Sequence, residues 1–104
     1  MAKALWTPEA REDLRAIALY IGRKARRPAT AAKIAREIKA KCDEYATIFA
    51  TGSVIGTHRP ELGENHRVFT HKRWVVVFRA TDLGIEVLRL VDGAQDYPTL
   101  FGGS

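Results

Sequence analysis

The chain has 104 residues, enough for one compact domain over residues 1–104 and too few for two. A hydrophobic fraction of 46% and a charged fraction of 28% exclude wholesale disorder, and a single cysteine, Cys42, excludes both an intrachain disulfide framework and a multi-thiolate zinc site. The net charge of +5 sits on the first half: residues 1–52 hold eleven Lys/Arg against six Asp/Glu, and residues 53–104 hold six of each. Such an excess suits an acidic partner, either nucleic acid or an acidic protein segment, or else a solvated basic face. No apolar run approaches the ~20 residues of a membrane span and no signal-like segment opens the chain, so a soluble, cytoplasmic domain without membrane contact is expected.

Residues 2–6 are short and mixed and predict a first strand. Thr7-Pro8 then has the form of a helix start, with Thr7 as N-cap and Pro8 where a missing N–H costs nothing. Glu9, Glu12 and Asp13 lie at the positive end of that helix dipole. Ala10, Leu14, Ile17, Ala18, Ile21 and Ala25 share one helical face, and Arg11, Arg15 and Arg23 lie opposite. Pro28 limits the helix to about residue 26. A second helical stripe runs through Ala31, Ala35, Ile38, Cys42, Tyr45 and Phe49, widened by Ile34 and Ile48 and stopped at Gly52. Two amphipathic helices joined by so short a turn predict an antiparallel hairpin.

Residues 53–64, with Gly56, Pro60 and Gly63, predict an irregular stretch. The period then becomes strand-like over residues 66–70, 73–79 and 85–91, with connections at His71-Lys72 and at Thr81-Asp82-Leu83-Gly84. Trp74, Val76 and Phe78 share one face, yet Val75 and Val77 are apolar as well, which predicts a central strand covered on both sides. The expected architecture is α+β, in the order β-α-α-β-β-β: a small, mainly antiparallel sheet with a helical hairpin on one face.

Familiar catalytic motifs are missing: no phosphate-binding glycine loop, paired metal-ligand motif or nucleophile elbow. His58, His66 and His71 lack nearby structured carboxylates and make a poor metal site, so neither a metal nor a cofactor is expected. Cys42 falls on an apolar stripe and reads as a buried thiol. Arg67, Lys72, Arg73, Arg79 and Arg89 punctuate the strands and turns. They could stabilise phosphorane charge in a metal-free ribonuclease; alternatively Arg79 and Arg89 balance Asp82, Glu86 and Asp96 or simply face water.

The order of elements and four local patterns resemble the ParE branch of the RelE/ParE toxin superfamily. The first is Leu5-Trp6-Thr7-Pro8-Glu9-Ala10, continuing through Asp13-Leu14, Ile17 and Tyr20-Ile21. The second is Pro28 followed by Ala31, and the third is Gly63 with Arg67. The fourth runs from Val75-Val76-Val77-Phe78-Arg79 through Ile85-Glu86-Val87-Leu88-Arg89-Leu90-Val91 to Gly93-Ala94, Asp96 and Leu100-Phe101. The resemblance implies the toxin of a type II toxin–antitoxin pair, a non-catalytic inhibitor of DNA gyrase neutralised by a ParD-like antitoxin. DNA would then be met mainly through the antitoxin or gyrase.

An antitoxin of that kind packs an amphipathic helix into an apolar groove. Leu14, Ile17, Leu19, Ile21 and Trp74 are the candidates for such a groove. Tyr97, Leu100 and Phe101, with Arg67 and Arg73, are the candidates for contact with the target, because exposed aromatics and arginines anchor interfaces.

The ribosome-dependent ribonucleases of the superfamily place an arginine early in the central strand, where this chain has Val75, and basic residues after the last strand, where it has Asp92, Gly93, Ala94 and Gln95. These departures count against the alternative of a RelE-type mRNA endoribonuclease using Arg67, Lys72, Arg73 and Tyr97. A third reading is a growth-neutral remnant that only binds an antitoxin.

Overall fold

The computed structural model describes residues 3–26, 28–50, 56–82 and 84–93. Strand β1 (Leu5–Trp6) leads through Thr7 into helix α1 (Pro8–Ala25), and α2 (Pro28–Ala50) follows. Then come β2 (Thr57–His58), a 3₁₀ turn (Pro60–Leu62), β3 (His66–His71), β4 (Trp74–Thr81) and β5 (Gly84–Asp92). The strands form one five-stranded sheet in the order β1-β5-β4-β3-β2. The fold is α+β. Only β1 pairs parallel, with β5; the other three pairings are antiparallel.

Local chemistry explains the boundaries. The Thr7 hydroxyl accepts from the Ala10 N–H at 3.1 Å, capping α1, and Pro8 occupies the first turn. Helix α1 ends on Arg26, which takes the left-handed conformation at φ 53° before α2 begins at Pro28. Two elements depart from the sequence-based expectation. Among the described residues the first strand is Leu5–Trp6, because these two find register partners, Glu86 and Val87. Residues 53–64 also contain β2 and the 3₁₀ turn, both too short to leave a period in the sequence. Gly63 closes that segment at φ 153°, where an added Cβ would lie 2.7 Å from the His66 ring, so glycine is required just before β3.

The main core lies between the helical hairpin and one sheet face. It joins Leu14 and Ile17 of α1 and Ile38 and Cys42 of α2 to Phe69, Val76, Phe78, Ile85 and Val87. Tyr45 and Phe69 rings approach to 4.1 Å, and Phe69 and Phe78 to 5.7 Å. Burial pushes the Cys42 thiol up to about 12, so it packs as a small hydrophobe. The opposite sheet face carries a second cluster of Leu62, Val68, Val75, Val77 and Val91, so β4 is buried on both faces as its unbroken valine run predicted. Among the described residues no helix is long and apolar enough to cross a membrane.

Candidate partner-binding grooves

Helix α1 is held along the sheet by two polar side chains. Besides capping the helix, the Thr7 hydroxyl donates to the Leu88 carbonyl at 2.9 Å, and the Thr7 N–H donates to Val87 O at 3.1 Å. Here β5 is irregular. Val77 faces Arg89 and Phe78 faces Val87, so Leu88 is an extra residue in the ladder. The extra residue brings both Val87 and Leu90 into the main core, and beside it Arg89 reaches α1, where its Nε and one terminal nitrogen donate to the two Asp13 oxygens at 2.7 and 3.2 Å. Asp13 Oδ2 also accepts from the Leu90 N–H at 3.0 Å. Asp13, expected only to serve the helix dipole, is therefore the bolt between α1 and β5.

Two grooves flank α1. On the sheet side, an open cavity of about 320 Å³ is bordered by Asp13, Ile17, Tyr20, Trp74, Arg89 and Asp92. Arg73 stands at its end, ion-paired with Asp92, with its guanidinium 5.0 Å from the Trp74 ring centre and 5.8 Å from that of Tyr20. Hydrogen bonding to Asp92 raises the Arg73 pKa, and that to Asp13 raises the Arg89 pKa, so both guanidiniums are committed to carboxylates. On the other flank, two hollows of about 580 and 480 Å³ share Arg15 and Ala18 and form one trough between α1 and α2. Small side chains make its floor: Ala18 and Gly22 from α1, Ala31 and Ala35 from α2.

The five candidate antitoxin contacts divide between these flanks. Leu14 is buried but borders the trough, and Leu19, 55% exposed, stands on its rim. Ile17 and Trp74 are buried and border the sheet-side cavity, while Ile21 borders an adjoining hollow with Tyr20 and Trp74. They do not form one continuous patch. Arg67 and Arg73 are likewise apart: Arg67 is near the start of β3 and Arg73 is in the turn beyond its end, past roughly 13 Å of strand at ~3.3 Å per residue. Tyr97, Leu100 and Phe101 lie outside the described residues.

The charges sort by element. Each of the six Lys/Arg in residues 53–104 has a described partner: Arg59 with Glu61, Lys72 with Glu37, Arg73 with Asp92, Arg79 with Glu86, Arg89 with Asp13, and Arg67 donating to Gly56 O. Glu86 does balance Arg79, whereas Arg89 takes Asp13 of α1 in place of a neighbour in its own half. His71 ends β3, not the connection after it, and its Nε2 lies 3.2 Å from Glu37 Oε1. Among the described residues, no three His, Cys, Asp or Glu side chains gather where they could hold a metal ion.

Sequence reasoning missed Glu37 and Asp13 as organising carboxylates. The available signal for the latter was Arg89, a lone cation within the apolar run of residues 85–91.

A profile of the family described as ParE toxin of type II toxin-antitoxin system, parDE, matches residues 4–97. The chain belongs to the ParE toxin family. Among solved structures, this ParE-family chain is similar to one from the chromosomal ParDE TA system of P. aeruginosa. The two are 24% identical, with 88% of this chain and 96% of that one covered and a TM-score of 0.69. At that identity the likeness speaks for the fold. No curated protein matches significantly. The Thr7-Pro8 entry, the Asp13-Leu14 pair and the Gly63-to-Arg67 approach, which carried the resemblance in sequence, correspond here to the α1 cap, the α1–β5 bolt and the tight entry into β3.

Proposed function

We propose that this ParE-family toxin inhibits DNA gyrase by binding it, carries out no chemistry of its own, and is neutralised by a ParD-like antitoxin. The observation that carries the proposal is the state of the sheet cations. A metal-free ribonuclease needs guanidinium or ammonium groups free to receive developing phosphorane charge, and removing one such donor typically costs about 10²- to 10³-fold in rate. In this chain Arg73 is bound by Asp92, Lys72 by Glu37 and Arg89 by Asp13. Val75, where the ribonuclease branch has arginine, is buried in the second apolar cluster. The RelE-type alternative therefore has the weaker support. Family membership favours the antitoxin, and the similar ParDE system supports the same partnership.

Tyr97, Leu100 and Phe101, with Arg67 and Arg73, are proposed to meet the target. DNA is engaged through gyrase or the antitoxin. The test is a supercoiling and cleavage-complex assay with purified gyrase, run with the intact protein and with a variant ending at Asp96. Intact toxin is expected to block supercoiling or trap cleaved DNA; failure to do either rejects the gyrase proposal. A truncated variant that stays folded and fully inhibitory removes only the tail from the target face. Codon-positioned mRNA cleavage in induced cells, abolished by Arg73→Ala, would restore the ribonuclease reading.

A further inference from the structure

The outer surface of the helical hairpin carries two rows of cations. Along α1, Arg11, Arg15, Leu19 and Arg23 follow one another at four-residue spacing. Along α2, Ala32, Arg36 and Lys39 form the second row. The rows face each other across the trough: Lys39 borders it with Arg11 and Arg15, and Ala32 with Leu19 and Arg23. All five cations are exposed, and none makes an ion pair among the described residues. Neither row contains a carboxylate. Four carboxylates of the hairpin are engaged elsewhere: Asp13 by Arg89, Glu37 by Lys72, Asp43 by the Ala4 N–H and Glu44 by Lys41. Glu9 and Glu12 lie at the start of α1, by the positive end of its dipole. The positive surplus of the first half is thus gathered into one field on one face.

We propose that this face of the free toxin binds the phosphate backbone of duplex DNA directly, without reading its sequence. The contact goes beyond the gyrase reading, in which DNA is reached through other proteins. Geometry favours a duplex. The α1 row spans roughly 18 Å at ~1.5 Å per residue, the axial length of about five phosphates of one strand at ~3.4 Å each. Packed helices lie about 8–10 Å apart, between the widths of the minor groove, about 6 Å, and the major groove, about 12 Å. Long guanidinium side chains on the two rows therefore reach phosphates of both strands. Two helices side by side are about 20 Å across, too broad for a major groove that admits one, so the contact stays on the backbone. Single strands are held largely by aromatic stacking, and neither row has an aromatic side chain. Leu19 is the one large apolar residue in the rows, and an isolated exposed leucine is ordinary.

The test uses the full-length chain and a duplex of about 20 base pairs, with binding followed by fluorescence anisotropy and folding by thermal melts. The parent should bind with a Kd of about 10⁻⁵ M near 0.1 M salt, and log K should fall against log salt with a slope of about −4.5, roughly −0.9 for each of five contacts. Arg11→Gln/Arg15→Gln/Arg36→Gln changes only exposed side chains without ion pairs. It should melt like the parent, flatten the slope by about 3 and weaken binding roughly 10²-fold. Arg36→Gln alone should flatten the slope by about 1. Replacing the same three arginines by lysine keeps the charges and should keep the slope. Lys41→Gln/Lys72→Gln/Arg79→Gln is the control: it removes equal charge from exposed positions outside the rows and should bind within about threefold of the parent.

Equal losses in the row variant and the control make the attraction a matter of net charge and overturn the proposal. So does a parent chain that binds no duplex at about 50 mM salt, where phosphate contacts are strong. Polyglutamate that binds the parent as tightly as the duplex, with the same loss in the row variant, reassigns the face to an acidic protein. None of these measurements involves gyrase. A toxin that inhibits gyrase without binding DNA loses only this inference, and one that binds DNA without inhibiting gyrase loses only the gyrase reading.

Discussion

Asp13 joins three groups that would otherwise be unrelated: the Arg89 guanidinium, the Leu90 N–H and the α1 backbone that carries it. Both charged side chains are largely sheltered, Asp13 at 19% exposure and Arg89 at 32%. Asp13→Ala leaves a guanidinium and a backbone donor without their acceptor and should cost about 2 kcal/mol in urea unfolding. Asp13→Asn keeps an acceptor for Leu90 and should recover about half of that loss; an alanine variant as stable as the parent would refute the bolt. Glu37 behaves differently because it is open to water. Its hydrogen bond from His71, aided by Lys72, holds its pKa below the ordinary value of 4.5. A carboxylate whose folded pKa is depressed stabilises fully above the unfolded value, and the contribution is lost as pH falls through the folded one. Parent protein should therefore melt above Glu37→Gln at neutral pH, and the gap should close below about pH 4.5. A gap unchanged down to pH 3 would show that the charge has no part in it.

At the scale of elements, the junction of β1, α1 and β5 is the organising feature. One hydroxyl caps the helix and ties it to the irregular strand, since Thr7 Oγ1 both accepts from Ala10 and donates to Leu88. Thr7→Val preserves shape and branching and removes both bonds. Its expected cost is about 1–2 kcal/mol, the sum of a lost cap and a modest hydrogen bond, read from the shift in denaturant midpoint. A midpoint equal to the parent's would show that neither bond contributes. The irregularity in β5 has the complementary role: without the extra residue Leu88, strict alternation would turn either Val87 or Leu90 away from the helices, whereas both lie in the main core.

Across the whole molecule, charge is segregated. Arg73, Arg79 and Arg89 of the sheet and its turns are matched with carboxylates and Arg67 with a backbone carbonyl, whereas Arg11, Arg15 and Arg23 of α1 make no ion pair among the described residues. On the antitoxin reading, long-range attraction should govern how fast an acidic partner arrives, and apolar contact how slowly it leaves. Raising salt to roughly 0.5 M, where exposed charges are strongly screened, should slow association by about tenfold or more and leave the complex intact during size exclusion. Complete dissociation at that salt would show that exposed charge pairs alone hold the complex.

Sequence periodicity and turn chemistry by themselves determined the two helices, the three long strands, the doubly buried β4 and the location of excess charge in the first half. Those features depend on neighbours only a few residues away: Thr7-Pro8 starts a helix, Pro28 separates two, and a valine run alternates its side chains across a sheet. Family membership was legible for the same reason, because its patterns are local and ordered along the chain. Only the tertiary structure decided which cations are neutralised. Arg89 and Asp13 are 76 residues apart, and no local pattern encodes a pairing between α1 and β5. It also decided the division of the candidate groove. Leu14 and Ile17 share a helical face, yet the packing of α2 on one side and β5 on the other assigns them to different flanks. The trough has no local signature because alanine and glycine give weak periodic signals, and their small size acquires meaning only when two helices bring them together.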